Sequence, residues 1–213
     1  MTKGRIISAV IIALIVIGGA FGINEFLSYR DVSVVLKDPD AAVEIYTSNN
    51  QKITTVSADE LIRLKVGDYY YKPVNEKFST ENIPFTVEDT TTIEINPFFS
   101  PSYLANLLIA QQNDIRATLV SSYPSIAASY IVGDDLLSHQ GQWYSAKLVQ
   151  RVSGGNQPDI YRIILKKDAE IWNVAVAPQL IISKSENPDV PVDVIRKVNE
   201  PLSNEAYALL YPE

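Results

Sequence analysis

The sequence has no cysteine and a single histidine, His139. A disulfide framework, a thiol nucleophile and a haem thiolate are therefore excluded. So is a Cys₄, Cys₂His₂ or His₃ metal site built from this chain alone. Positive charge is also scarce, with 18 Lys and Arg against 25 Asp and Glu. The formal charge of −7 argues against nucleic acid as the main partner, because neutralising phosphates needs a basic face. No Gly-rich phosphate loop follows a strand, and no 12-residue EF-hand spacing occurs. No metal or cofactor is expected. The 213 residues suffice for one large domain or two small ones.

The apolar residues are unevenly spread. Ile6 to Ile23 is a run without charge and with one hydroxyl, Ser8. At about 1.5 Å per residue, a helix over this run and its flank spans roughly 27–30 Å, close to the hydrocarbon thickness. Residues 6–27 are therefore expected to form a transmembrane helix, with the lipid bilayer as partner through Ile6–Ile23. Lys3 and Arg5 put +2 before the run and leave −9 after it. The positive-inside rule then places residues 1–5 in the cytoplasm and the remainder outside a plasma membrane. A cleaved signal peptide with its site at Ala20-Phe21-Gly22 is the rival reading. The length of the run favours an uncleaved anchor.

Residues 31–97 read as short strands. Val32, Val34 and Leu36 alternate, as do Val43 and Ile45, then Ile83, Phe85 and Val87, then Ile93 and Ile95. Asp38-Pro39-Asp40 and Asn49-Asn50 are turn signals. Strict alternation means sheets with one wet face, and the number of strands suggests a small β-sandwich. The opening Val-x-Val strand, Pro39-x-Ala41-x-Val43-x-Ile45, Leu64-Lys65-Val66-Gly67-Asp68-Tyr69 and Thr92-Ile93-Glu94-Ile95 together resemble a PEGA-type domain. That resemblance implies an exterior spacer or binding module of a bacterial envelope protein. The family's usual Asp-Gly hairpin and Thr-Pro step are missing, and a generic immunoglobulin-like sandwich fits the same strands. Tyr70 and Tyr71, within Tyr69-Tyr70-Tyr71, are candidate stacking residues for glycan or peptide. The competing role for tyrosines in strands is packing with a wet hydroxyl.

Residues 98–184 change pattern. Ser100-Pro101 is a helix start, with a hydroxyl cap and proline at the first helical position. Leu104, Leu107, Leu108, Ile115 and Leu119 share one side of a helix that should end before Tyr123-Pro124. A short helical piece is expected within Ser125–Val132, and Gly133-Asp134-Asp135 reads as a turn. Strands follow at Trp143–Val149, Ile160–Leu165 and Ile171–Val176, with Leu180–Ile182 as a further short strand. Gly154-Gly155-Asn156 and Asp168-Ala169 serve as their turns. Along Trp143–Val149 both alternating sets are largely apolar, and the pattern does not choose a core face. The expected fold class is thus an N-terminal transmembrane helix, a small all-β sandwich, and an α+β domain with one long helix packed on an antiparallel sheet.

The element order of residues 98–184 looks like a cystatin- or NTF2-like fold. The resemblance implies a cup whose chemistry would fall to Asp134, Asp135, His139, Tyr144 and Tyr161. Asp134-Asp135 followed by His139 is conceivable as a base with its orienting group. No nucleophile is tied to them, and a solvated loop is the competing reading. Lys147, Arg151, Arg162, Lys166 and Lys167 could form a basic stripe or simply balance acidic loops. Residues 185–213 form a C-terminal tail whose amphipathic end, Ser203–Tyr211, docks back or binds a partner groove. No catalytic set emerges. The expected function is a membrane-anchored extracytoplasmic scaffold or accessory protein with envelope protein partners. The alternative is a small-ligand or enzymatic cup in the second domain.

Overall fold

The computed structural model describes residues 28–89, 91–151 and 158–210. They fall into two compact units that part between Pro97 and Phe98. The run Ile6–Ile23 and the turn Gly154-Gly155-Asn156 lie outside the described residues.

The first unit holds seven strands: β1 (Tyr29–Leu36), β2 (Val43–Thr47), β3 (Lys52–Val56), β4 (Glu60–Lys65), β5 (Gly67–Pro73), β6 (Ile83–Val87) and β7 (Thr91–Ile95). They make a three-stranded sheet ordered β4-β1-β7 and a four-stranded sheet ordered β3-β2-β5-β6. β1 runs antiparallel to β4 and parallel to β7, whereas the second sheet is antiparallel throughout. Alternation decides which side chains meet. Val32 and Val34 from the first sheet bury against Val43, Ile45, Tyr69 and Tyr71 from the second. Asn50 takes φ 64° in the β2–β3 turn, a conformation that asparagine tolerates better than most residues. The Asp38-Pro39-Asp40 loop is closed by Lys77, whose Nζ lies 2.9 Å from both Asp38 Oδ2 and Asp40 Oδ2.

The second unit holds α1 (Pro101–Ser122), α2 (Ser125–Ser129), β8 (Tyr130–Ser138), β9 (Trp143–Gln150), β10 (Ile160–Asp168), β11 (Ile171–Gln179), α3 (Val192–Asn199) and α4 (Asn204–Leu210). Its four strands form an antiparallel meander in chain order. α1 begins as its residues dictate. The Ser100 hydroxyl accepts the Tyr103 N–H at 3.2 Å, and Pro101 occupies the first turn. The helix stops at Tyr123, before Pro124. Ile115 and Leu119 are its buried contacts, and they meet Tyr144, Ala146, Leu148, Ile163 and Leu165 on one face of the sheet.

The other face is covered as well. Val194, Ile195 and Val198 of α3 pack on Trp143, Ile164 and Val176. Leu202, just before α4, and Ala206, in its first turn, pack on Val149. The approach at β8 is close: a Cβ placed on Gly133 would come within 3.3 Å of the Ala206 Cβ. β9 is therefore buried along both faces, which is why its alternation chose neither.

These observations correct the expected fold class. Among the described residues no helix is long and apolar enough to cross a membrane. The described chain is mostly β, with eleven strands in three sheets against four helices. The second unit is not one long helix on one face of a sheet, because the C-terminal segment supplies a second helical layer. Two local expectations also change. Gly133-Asp134-Asp135 is not a turn but the interior of β8, where the register with β9 shifts between Gly133 and Leu136. Leu180–Ile182 adds no strand, and β8 is the sheet's fourth member.

Candidate functional site

The β8 irregularity sends its two aspartates to different places. Asp134 adopts φ 46° in the region of the shifted register. Its carboxylate accepts hydrogen bonds from Lys147 Nζ at 2.8 Å, from the Ser203 backbone N–H at 2.8 Å, and from the Ser203 hydroxyl. Burial pushes the Asp134 carboxyl up, and the bonds from Lys147 and Ser203 more than reverse this, holding it below the usual carboxylate range. Lys147 is itself 4% exposed and also donates to the Pro201 carbonyl at 2.9 Å. Asp134 thus ties the C-terminal segment to the sheet.

Asp135 belongs to the α1 side. It lines a cavity of about 270 Å³ between α1, α2 and the strands β8 and β9. The Tyr144 hydroxyl, on a side chain 2% exposed, donates to Asp135 Oδ2 at 3.4 Å. Burial pushes both groups up: the Asp135 carboxyl above the usual range, and the Tyr144 phenol well above its own. Ile115, Leu119 and Ile126 give the cavity buried apolar wall. Gln112, Arg116, Val132 and Arg151 line it with exposed side chains. Gln112 and Arg116 lie one turn apart on α1, and Arg151 follows the end of β9. Among the described residues, neither guanidinium takes part in an ion pair.

The remaining candidates lie elsewhere. His139 Nε2 sits 2.9 Å from Asp193 Oδ2, joining the β8–β9 turn to the start of α3. Tyr161 packs edge-on to Tyr130 at 5.9 Å and lines a separate hollow with Tyr123 and Pro178. Tyr71 is 6% exposed in the sandwich core, not on its surface. Tyr70 is half-buried and stacks on Tyr46, with ring centroids 5.1 Å apart, while its hydroxyl donates to Asn50 Oδ1 at 2.8 Å. Of the five residues expected to supply a cup's chemistry, Asp135 and Tyr144 meet, whereas Asp134, His139 and Tyr161 lie apart from them and from one another. The basic stripe is not assembled either. Lys147 is buried against Asp134, Arg162 donates to backbone carbonyls, and Lys166 pairs with Asp168.

What the structure brings together is Asp135, Tyr144, Arg116 and Arg151. The Arg116 contribution was foreshadowed only by its spacing of one residue from Ile115 and three from Leu119, which puts it at the edge of the apolar stripe. Arg151 was visible only as part of the supposed stripe.

No family model and no curated protein matches this chain. It is similar to the crystal structure of a DUF3823 family protein from Parabacteroides merdae, at 10% identity over 76% of this chain and 85% of that one. The TM-score is 0.26, too low to carry any argument about fold or function.

Proposed function

We propose that the protein is a non-catalytic accessory or scaffold protein of the cell exterior, acting through protein or envelope contacts of its two units. One observation carries this reading. Asp134, one of the two acids that precede the single histidine in sequence, is engaged as a structural acceptor by Lys147 and Ser203, while His139 is held by Asp193. Asp134 and His139, the acid–histidine combination that a hydrolytic cup would use, are thus held apart by separate structural partners. Attachment to the plasma membrane through Ile6–Ile23 belongs to the same proposal and is supported by that run's lack of charge. The PEGA-like pattern of residues 31–97 supports an envelope setting.

Two measurements test it. Ester, amide, glycoside and phosphate-ester reporters should show no turnover with the purified full chain. Turnover that disappears in Asp135→Asn overturns the non-catalytic reading. Crosslinking in intact cells should return envelope proteins, and a set consisting only of cytosolic proteins overturns the placement.

A further inference from the structure

We propose that the cavity between α1 and the sheet binds a small organic carboxylate: one anionic head on an apolar body, roughly ten non-hydrogen atoms in all. The size follows from the volume. About 270 Å³ is close to the lower end of small-molecule sites, and at about 30 Å³ per water it equals roughly nine waters. The apolar body follows from one side of the wall, where Leu108, Ile115, Leu119, Ile126 and Ile131 offer a polar ligand no partner.

The head group follows from charge. The chain carries −7, yet this cavity has two arginines and one acid among its lining residues. The two arginines come from different elements, α1 and the end of β9, and line one space without a protein counter-ion among the described residues. Planar guanidinium groups match a carboxylate in geometry as well as sign. The acid is Asp135, hydrogen-bonded to Tyr144. A carboxylate head would be repelled there, so the head lies toward Arg116 and Arg151 and the body toward Ile115 and Leu119. A second negative charge at the far end of the ligand would meet Asp135, which selects against dicarboxylates.

Titration calorimetry on the full chain tests this with 3-phenylpropionate as the probe. The neutral 3-phenylpropionamide, inorganic phosphate and a dicarboxylate of similar length, 1,4-phenylenediacetate, serve as controls. The monocarboxylate should bind at least tenfold more tightly than each control. Arg116→Gln and Arg151→Gln, both at exposed positions, should each weaken it about tenfold without changing the melting transition. Val132→Trp, which fills the exposed edge of the cavity, should abolish binding. No binding of the probe, equal binding of acid and amide, tighter binding of bare phosphate, or binding that persists in Val132→Trp would each overturn the proposal. Loss of binding alone leaves the accessory role standing. Conversion of the probe to a product overturns that role instead.

Discussion

Lys147 Nζ lies 2.8 Å from Asp134 Oδ2 on the sheet face that the C-terminal helices cover, with the lysine side chain only 5% exposed. The same carboxylate receives the Ser203 N–H, so one ion pair joins β8, β9 and the segment leading into α4. Removing a single partner leaves a buried charge without compensation. Lys147→Met or Asp134→Ala should each destabilise the second unit, with Asp134→Ala costing about 3–5 kcal/mol. The double variant should lose less than the two single losses combined. Both tryptophans, Trp143 and Trp172, lie in this unit, so urea unfolding followed by their fluorescence isolates its transition. Additive losses would show that the pair is not coupled.

The adjacent aspartates should give opposite pH responses. Asp134 is held below the ordinary carboxylate range when folded. The stability it contributes is therefore present above the unfolded value of about 3.9 and is lost as pH falls through the folded one. Asp135 is pushed up. Its ionisation costs stability as pH rises from about 3.9 through its folded value. Asp134→Asn should therefore be most damaging near neutrality and approach wild type in acid. Asp135→Asn should gain on wild type as pH rises. Thermal melts between pH 3 and 7 distinguish the two signs.

Gly141 has φ +74°, and a Cβ there would sit 2.5 Å from Leu107 Cδ2. Gly141→Ala should cost about 1–2 kcal/mol for the backbone alone. Contact with Leu107 adds to this unless the leucine tip moves. In a Leu107→Ala background the steric part should vanish and the backbone part remain. Equal penalties in both backgrounds would show that Leu107 moves aside freely.

Tyr70 and Tyr71 are neighbours in sequence with opposite environments. Tyr71→Ala opens a hole among Val32, Ile45 and Phe85 and should cost about 3–5 kcal/mol, as for other large aromatic deletions. Tyr70→Ala forfeits a ring stack worth about 0.5–1.5 kcal/mol and one exposed hydrogen bond. Near-UV circular dichroism of the first unit's transition should show the larger shift for Tyr71.

Ser100→Ala removes the acceptor for the Tyr103 N–H and should lower the second unit's stability by about 1 kcal/mol. Ser100→Asp should retain most of it. A loss equal to that of alanine would mean the cap contributes nothing.

Local pattern was legible where one residue's environment depends on near neighbours. Val43 and Ile45 alternate with polar residues and point into the sandwich. Ser100-Pro101 starts α1 because capping is a property of four consecutive residues. Asp134 and Asp135 were legible as acids but not as a pair sent to different sides. That depends on a register shift against β9, a relationship between strands that neither strand's composition encodes. Arg116 and Arg151 converge on one cavity from positions 35 residues apart, a meeting that only chain closure produces.

By itself the sequence determined the excluded chemistries, because a chain without cysteine and with one histidine cannot supply those ligands in any fold. It also determined the two local periods, since side chains of a strand or helix repeat at intervals set by backbone geometry. Tertiary structure decided the rest. β9 is apolar on both faces, and only the return of α3 and α4 across the sheet shows that both are core. Lys147 is charged in any reading of the sequence, and only the approach of Asp134 and Pro201 makes its burial tolerable. Desolvation and charge pairing act through space, so their partners are chosen by the fold.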